Sequence, residues 1–215
     1  MTKKLNSPLA LERKLWDQGF TMLAGVDEAG RGPLAGPVVA ACVVLSQDLF
    51  LPGVNDSKKL TPKKREALFD QILENAHEVG IGIVGEKIID RMNILNASLK
   101  AMWKAVNKLK NQPHFILVDG NQKIPNLSVP QMPVVKGDSQ SLSIAAASIV
   151  AKVTRDKIML KYHRRYPEFC FADHKGYATK VHREALKAFG PCQVHRRSFK
   201  LVRLCQTNQI DMDVS

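Results

Sequence analysis

Apolar positions along the chain follow two rhythms. Val38–Leu45 is an unbroken, Val-rich run, the pattern of a strand buried on both faces. Met22–Asp27 and His114–Val118 are further apolar stretches, and Val134-Val135 is a shorter one. Val79, Ile81 and Ile83 alternate with Gly80 and Gly82, which predicts another strand. The helical rhythm is clearest at Leu95, Leu99, Met102, Val106 and Leu109, one stripe that Pro113 ends. Ser7-Pro8 predicts an N-cap and first-turn proline for a helix closing near Gly19. Thr61-Pro62 opens a second helix that turns Leu68, Ile72 and Ala76 inward, and Gln47–Ser57 before it is a loop. Ser143–Arg165 is a long helix whose first half is small-sided (Ala145, Ala146, Ala147, Ser148, Ala151), so it can lie close to a sheet. Thr179 caps a later helix that Gly190-Pro191 closes. Three strands in series, followed by alternation of strand and helix, predict an α/β layer structure with a mixed sheet and a flanking helical C-terminal third.

Length and charge narrow this. A chain of 215 residues suits one compact domain. Of its net charge of +12, the stretch from Arg155 to Arg203 carries +9, with thirteen Lys and Arg against four Asp and Glu. A basic quarter on a near-neutral remainder points to a polyanion. Its aromatics are interspersed with Gly and Pro instead of forming an amphipathic face, which favours nucleic acid over a membrane surface. Cys42, Cys170, Cys192 and Cys205 form no CxxC pair, as expected for a reducing, cytoplasmic setting without a zinc ribbon or disulfide scaffold. No apolar run approaches a membrane span, and Glu12, Arg13 and Lys14 interrupt any signal core after Met1-Thr2-Lys3-Lys4.

The candidate chemistry lies in the carboxylates. Asp27-Glu28 closes one apolar run, Asp119 closes Phe115–Val118, and Asp138 follows Val134-Val135 across Lys136-Gly137. Ligands of open α/β sheets bind at the carboxyl ends of strands. Acids converging there repel one another unless a cation intervenes, and all-oxygen ligation selects Mg²⁺ or Mn²⁺ over zinc. Each acid alone also suits a turn or helix cap, as Asp119-Gly120 does. Neighbours on a strand face opposite ways, so Asp27 and Glu28 share a site only if the chain bends, which Gly25 and Gly30 allow. Gly25–Gly32 begins like a phosphate loop but then reads Arg-Gly, without the lysine and hydroxyl that hold a nucleotide. Lys58-Lys59, Lys175-Gly176-Tyr177 and His195-Arg196-Arg197-Ser198 are further candidates for contact with a polyanion, Tyr177 by stacking on a sugar or base.

Seven segments in order closely resemble ribonuclease HII: Gly25–Pro37 (GVDEAGRGPLAGP), Asn55–Leu60 (NDSKKL), Val118–Gly120 (VDG), Lys136–Ser139 (KGDS), Ser143–Asp156 (SIAAASIVAKVTRD), His174–Tyr177 (HKGY) and His195–Phe199 (HRRSF). The resemblance implies the ribonuclease H-like α/β fold, a mixed five-stranded sheet flanked by helices with a C-terminal helical extension. It divides the chain into an N-terminal helical extension over 1–21, a catalytic domain over 22–205 whose basic helical part begins near 155, and a frayed tail over 206–215. By that resemblance Asp27, Glu28, Asp119 and Asp138 bind two catalytic Mg²⁺ or Mn²⁺ ions. Gly30, Arg31 and Gly32 recognise the 2′-hydroxyl of the target ribonucleotide, and Tyr177 stacks on the deoxyribose that follows it. The implied activity is hydrolysis of RNA in RNA–DNA hybrids and nicking 5′ to single ribonucleotides in duplex DNA, leaving 5′-phosphate and 3′-hydroxyl ends. Lys58, Lys59, Lys175, Arg196 and Arg197 are expected on the substrate backbone. No sliding-clamp peptide is evident in the tail. A non-catalytic nucleic-acid binder gains nothing from acids facing phosphate, and another nuclease of the same fold leaves Gly-Arg-Gly with a stacking tyrosine unexplained.

Overall fold

A computed structural model describes residues 9–47, 53–54 and 60–210, the last five by backbone alone. Two compact units are present. The first comprises Met1–Ala29, Val39–Ile83 and Leu99–Val153; the second comprises Gly30–Val38, Val84–Ser98 and Thr154–Ser215.

The first unit holds the sheet: β1 (Leu23–Ala29), β2 (Val38–Leu45), β3 (Glu78–Val84), β4 (Phe115–Asp119) and β5 (Gln131–Val134), in the order β3-β2-β1-β4-β5. β1 runs antiparallel to β2, from Leu23↔Leu45 to Ala29↔Val39, and parallel to β4, from Leu23↔Phe115 to Val26↔Val118. β5 is parallel to β4. The sheet is therefore mixed, and β1, β4 and β5 end on the same edge. β5 lies earlier than its sequence signal, because Val135 is 62% exposed and falls beyond the strand.

Helices cover this sheet for reasons readable in their side chains. α2 (Pro62–Asn75) is capped by Thr61, whose hydroxyl accepts the Lys64 N–H, and it buries Leu68, Phe69 and Ile72. α4 (Leu142–Arg165) packs its alanine face against Ala41, Val43 and Leu45. Its first turn touches β1: a Cβ at Gly25 would stand 2.1 Å from the Ser143 carbonyl carbon and 2.2 Å from the Ile144 nitrogen. α1 (Ala10–Asp17) is fixed to that same turn by a fully buried Glu12. Its Oε1 accepts the Ser141 hydroxyl at 2.6 Å, the Ser143 N–H at 3.0 Å and the Ser143 hydroxyl at 2.9 Å. The Ser7-Pro8 cap and most of the Gln47–Ser57 loop fall outside the described residues.

α3 (Glu86–Val106) departs from its sequence signal. Asn93, at φ 66° and ψ 166°, breaks it into two segments, and the Asn93 side chain accepts the Asn96 N–H as a cap for the second. The stripe is rotated: Leu95 is 38% exposed, whereas Ala101, Met102, Ala105 and Val106 are buried. The cause lies on β3. A Cβ at Gly80 would meet the Ala105 carbonyl oxygen at 2.0 Å, and one at Gly82 the Ala101 oxygen at 1.9 Å, so helix backbone fills the space of the missing side chains.

The second unit gathers Leu34, Ala35, Met159, Phe169, Phe171, Leu186, Val194 and Val202 into its own core. Its elements include α5 (Phe171–His174), α6 (Lys180–Phe189) and α7 (Lys200–Ile210). Thr179 caps α6 through the His182 N–H, and Gly190, at φ 67°, ends it. α7 continues to Ile210, so the first part of the stretch expected to fray is helical. Among the described residues no helix is long and apolar enough to cross a membrane.

Candidate active site

Asp27 is 6% exposed near the carboxyl end of β1. Its Oδ1 accepts the Glu28 N–H at 2.6 Å, and the Ser148 side chain on α4 also bonds to its carboxyl. Burial pushes the Asp27 carboxyl well above the usual carboxylate range, and the negative charges of Glu28 and Asp119 push it further; the two hydrogen bonds oppose them. Asp119 ends the neighbouring strand β4, one residue past the Val26↔Val118 pair. Its Oδ1 accepts the Gly137 N–H at 2.7 Å, which ties down the 3₁₀ turn Gly137–Ser139 carrying the buried Asp138. Gly137 is closely packed there: a Cβ on it would lie 2.5 Å from Ile144 Cδ1, which would have to shift.

Asp27, Asp119 and the Asp138 turn are thus brought to one edge of the sheet. The ladder continues through Glu28↔Ala40 and Ala29↔Val39, so the bend expected between Asp27 and Glu28 is absent, yet the Glu28 charge still acts on the Asp27 carboxyl. Gly25 serves the approach of α4, and the turn itself begins at Gly30, with φ 98°. Among the described residues, no three His, Cys, Asp or Glu side chains stand close enough to hold an ion as they are placed.

The second unit organises the loop that follows. Arg196 is fully buried and donates to the carbonyls of Gly30 (2.5 Å), Arg31 (2.9 Å) and Gly36 (2.9 Å). This corrects the expectation that it lies on the substrate: its guanidinium is taken up by backbone. Arg155, 1% exposed, donates to Pro37, Lys175 and Ala35 oxygens, each at 3.0 Å. Burial lowers the Arg196 pKa to about 9, with the Arg155 charge adding to the effect and Glu86 and Asp90 opposing it. Tyr177 is 45% exposed, and a Cβ on Gly32 would sit 3.7 Å from its Cε1, so the Gly-Arg-Gly turn and the tyrosine are neighbours. The Lys175 ammonium donates to the Ala172 carbonyl, while Arg197 is exposed and its N–H meets Asp90. Lys58 and Lys59 lie outside the described residues.

The family model described as ribonuclease HII matches residues 24–202, a span that includes all of these described groups. The chain belongs to the ribonuclease HII family. A ribonuclease HII from Caldanaerobacter subterraneus subsp. tengcongensis is 54% identical over 197 residues, covering 92% of this chain and 81% of that one. Among solved structures, ribonuclease H2 from Pyrococcus horikoshii OT3 matches with a TM-score of 0.74 at 31% identity, over 87% of this chain and 98% of that one. The PCNA:RNase HII complex from Archaeoglobus fulgidus matches with a TM-score of 0.71 at 30% identity, over 83% and 95%. Ribonuclease HII is an endonuclease acting on the RNA of RNA–DNA hybrids, and that is the activity of this chain.

The sequence alone does not mark Ser148, Arg155 or Glu12 as residues that organise this region. Ser148 looked like one more small residue of the alanine run, although its hydroxyl was the only polar group there. Arg155 counts there simply as positive charge, and Arg196 is expected on the substrate instead of on carbonyls of its own chain. Glu12 sat in a helix with no visible link to Ser141 or Ser143, more than a hundred residues away.

Proposed function

We propose that this ribonuclease HII cuts on the 5′ side of a ribonucleotide, in RNA–DNA hybrids and at single ribonucleotides embedded in duplex DNA, leaving 3′-hydroxyl and 5′-phosphate ends, and that it works in the cytoplasm. The observation that carries this reading is the buried Asp27 carboxyl, whose charge is opposed by burial and by Glu28 and Asp119. Such a group fits a cation better than it fits bare protein. Asp27, Glu28, Asp119 and Asp138 offer only oxygen, which suits Mg²⁺ or Mn²⁺. When bound, a pair of such ions supplies the charge that activates water and steadies the departing 3′-oxygen.

The chain's own groups orient the reactants. Hydrogen bonds from the Glu28 N–H and Ser148 hold the Asp27 carboxylate, and the Gly137 N–H holds Asp119. Arg196 draws the Gly30 and Arg31 carbonyls inward. Because a peptide is planar and trans, the N–H groups of Arg31 and Gly32 then turn the other way, toward a ribose 2′-hydroxyl. That hydroxyl is the one group separating RNA from DNA at a nucleotide. Tyr177, beside Gly32, stacks on the following deoxyribose, and Arg197 with Lys58 and Lys59 hold the backbone in a sequence-independent way.

A duplex holding one ribonucleotide, incubated with Mg²⁺ or Mn²⁺, tests this. One nick on its 5′ side and an intact all-DNA control are expected; equal cutting of the all-DNA duplex overturns the reading.

A further inference from the structure

Three histidines of the second unit form an array that phosphodiester hydrolysis does not use. His182 is 0% exposed and His195 2%. His182 Nδ1 lies 2.9 Å from the Tyr177 carbonyl oxygen, and its Nε2 lies 2.9 Å from His195 Nε2. On its far side, His195 Nδ1 accepts the Cys192 N–H at 3.0 Å. These contacts fix the protons. A carbonyl can only accept, so His182 Nδ1 carries hydrogen and, in the neutral ring, its Nε2 is the acceptor. His195 must then donate from Nε2, which leaves its Nδ1 as the acceptor that Cys192 requires. One arrangement of two neutral rings satisfies every partner. Burial supports it by lowering the pKa of His182 to about 4 and of His195 to about 3.

His174 completes the array. Its ring stacks on His182 with centroids 4.6 Å apart and planes 13° from parallel. Its Nε2 donates to the Phe169 carbonyl at 2.8 Å, so Nδ1 is free to accept the Gly176 N–H at 3.1 Å. Gly176–Tyr177 is therefore gripped at its N–H by one imidazole and at its carbonyl by the ring stacked on the first. The Gly176 carbonyl is also taken, by the Leu34 N–H at 2.8 Å.

We propose that His182 is a positioning residue for Tyr177: its Nδ1–H, set by the His195 contact, fixes the peptide that carries the tyrosine and so governs how strongly the enzyme favours a ribonucleotide–deoxyribonucleotide junction over a continuous RNA strand. This rests on the reading of Tyr177 as the residue that stacks on the sugar after the ribonucleotide.

Two isosteric variants separate the two ring nitrogens. His182→Asn keeps an amide N–H at the Nδ1 position, whereas His182→Gln keeps one near Nε2 and loses the donor to Tyr177. The reading is kcat/KM on a single-ribonucleotide duplex divided by kcat/KM on a uniform RNA–DNA hybrid, with Tyr177→Ala alongside. Tyr177→Ala is expected to lower this ratio about tenfold, the size of a lost stacking contact. His182→Gln should follow it, and His182→Asn should stay within about twofold of the parent, since its hydrogen bond survives. Equal ratios for the two His182 variants, with a lowered ratio for Tyr177→Ala, overturn the positioning role. An unchanged ratio for Tyr177→Ala overturns the stacking reading on which it rests. Imidazole ¹⁵N NMR of the unmodified enzyme gives a second test that needs no variant to fold. Hydrogen on Nδ1 of His182 and Nε2 of His195 is expected, and the opposite tautomer at His182 contradicts the proposal.

Discussion

A carboxylate buried at the end of a strand is tolerated in one of two ways: it gives up its charge, or it gains a cation. At Asp27 both neighbouring charges are negative, so the residue's type and its surroundings conflict, and the proposed ion would relieve that conflict. That conflict was partly legible in the sequence, because Asp27 and Asp119 each terminate an apolar run. The partners of the buried arginines were not legible: a sequence counts a guanidinium as charge and does not disclose which carbonyls occupy it. Arg196→Lys retains the charge but loses the fork that holds Gly30, Arg31 and Gly36 together. It should lower discrimination between the ribonucleotide duplex and all-DNA more than it lowers duplex affinity; equal losses in both contradict this role. Glycine offers a second contrast at this scale. A methyl at Gly25 meets α4 backbone within 2.4 Å, whereas one at Gly85 meets nothing within 4 Å. Gly25→Ala should therefore cost at least about 1–3 kcal/mol, and Gly85→Ala essentially nothing, in urea unfolding.

Among the elements, β2 and α6 follow their sequence signals because the signal and its cause are local: an unbroken apolar run, and a Thr–Gly pair that caps both ends. α3 does not, because its orientation is decided on another element. Periodicity located the helix, but Gly80 and Gly82 draw its alanine side inward and turn Leu95 out. α1 is a similar case. Its attachment depends on Glu12, which accepts three hydrogen bonds at the start of α4. Glu12→Ala removes the shared acceptor of three buried donors, of which one hydroxyl can still turn to the other serine, and should destabilise the protein by about 1–3 kcal/mol. A denaturant midpoint matching the parent contradicts this account of how the N-terminal helix is held.

For the whole molecule, charge and acid stability follow from the same groups. His182 falls from its ordinary 6.5 to about 4 on folding, and His195 to about 3. Between pH 6.5 and these lower values the unfolded chain binds protons that the folded one refuses. Stability from this pair is thus complete above about pH 6.5 and declines as pH falls below it. His195→Gln, which cannot take up a proton, should show a smaller drop in urea midpoint between pH 7.5 and 5 than the parent; equal drops contradict the assignment. The net charge of +12, with +9 between Arg155 and Arg203, conceals the acidic minority at the ends of β1 and β4. The central claim is that these acids are kept, at a cost in stability, to hold divalent ions. Asp27→Asn and Asp119→Asn test it most directly, each measured for thermal melting without divalent ion and for cleavage of the single-ribonucleotide duplex with Mn²⁺. Relieved repulsion should leave both variants melting at or above the parent temperature, while cleavage falls to the level seen without metal. Cleavage that persists in both variants would contradict the claim.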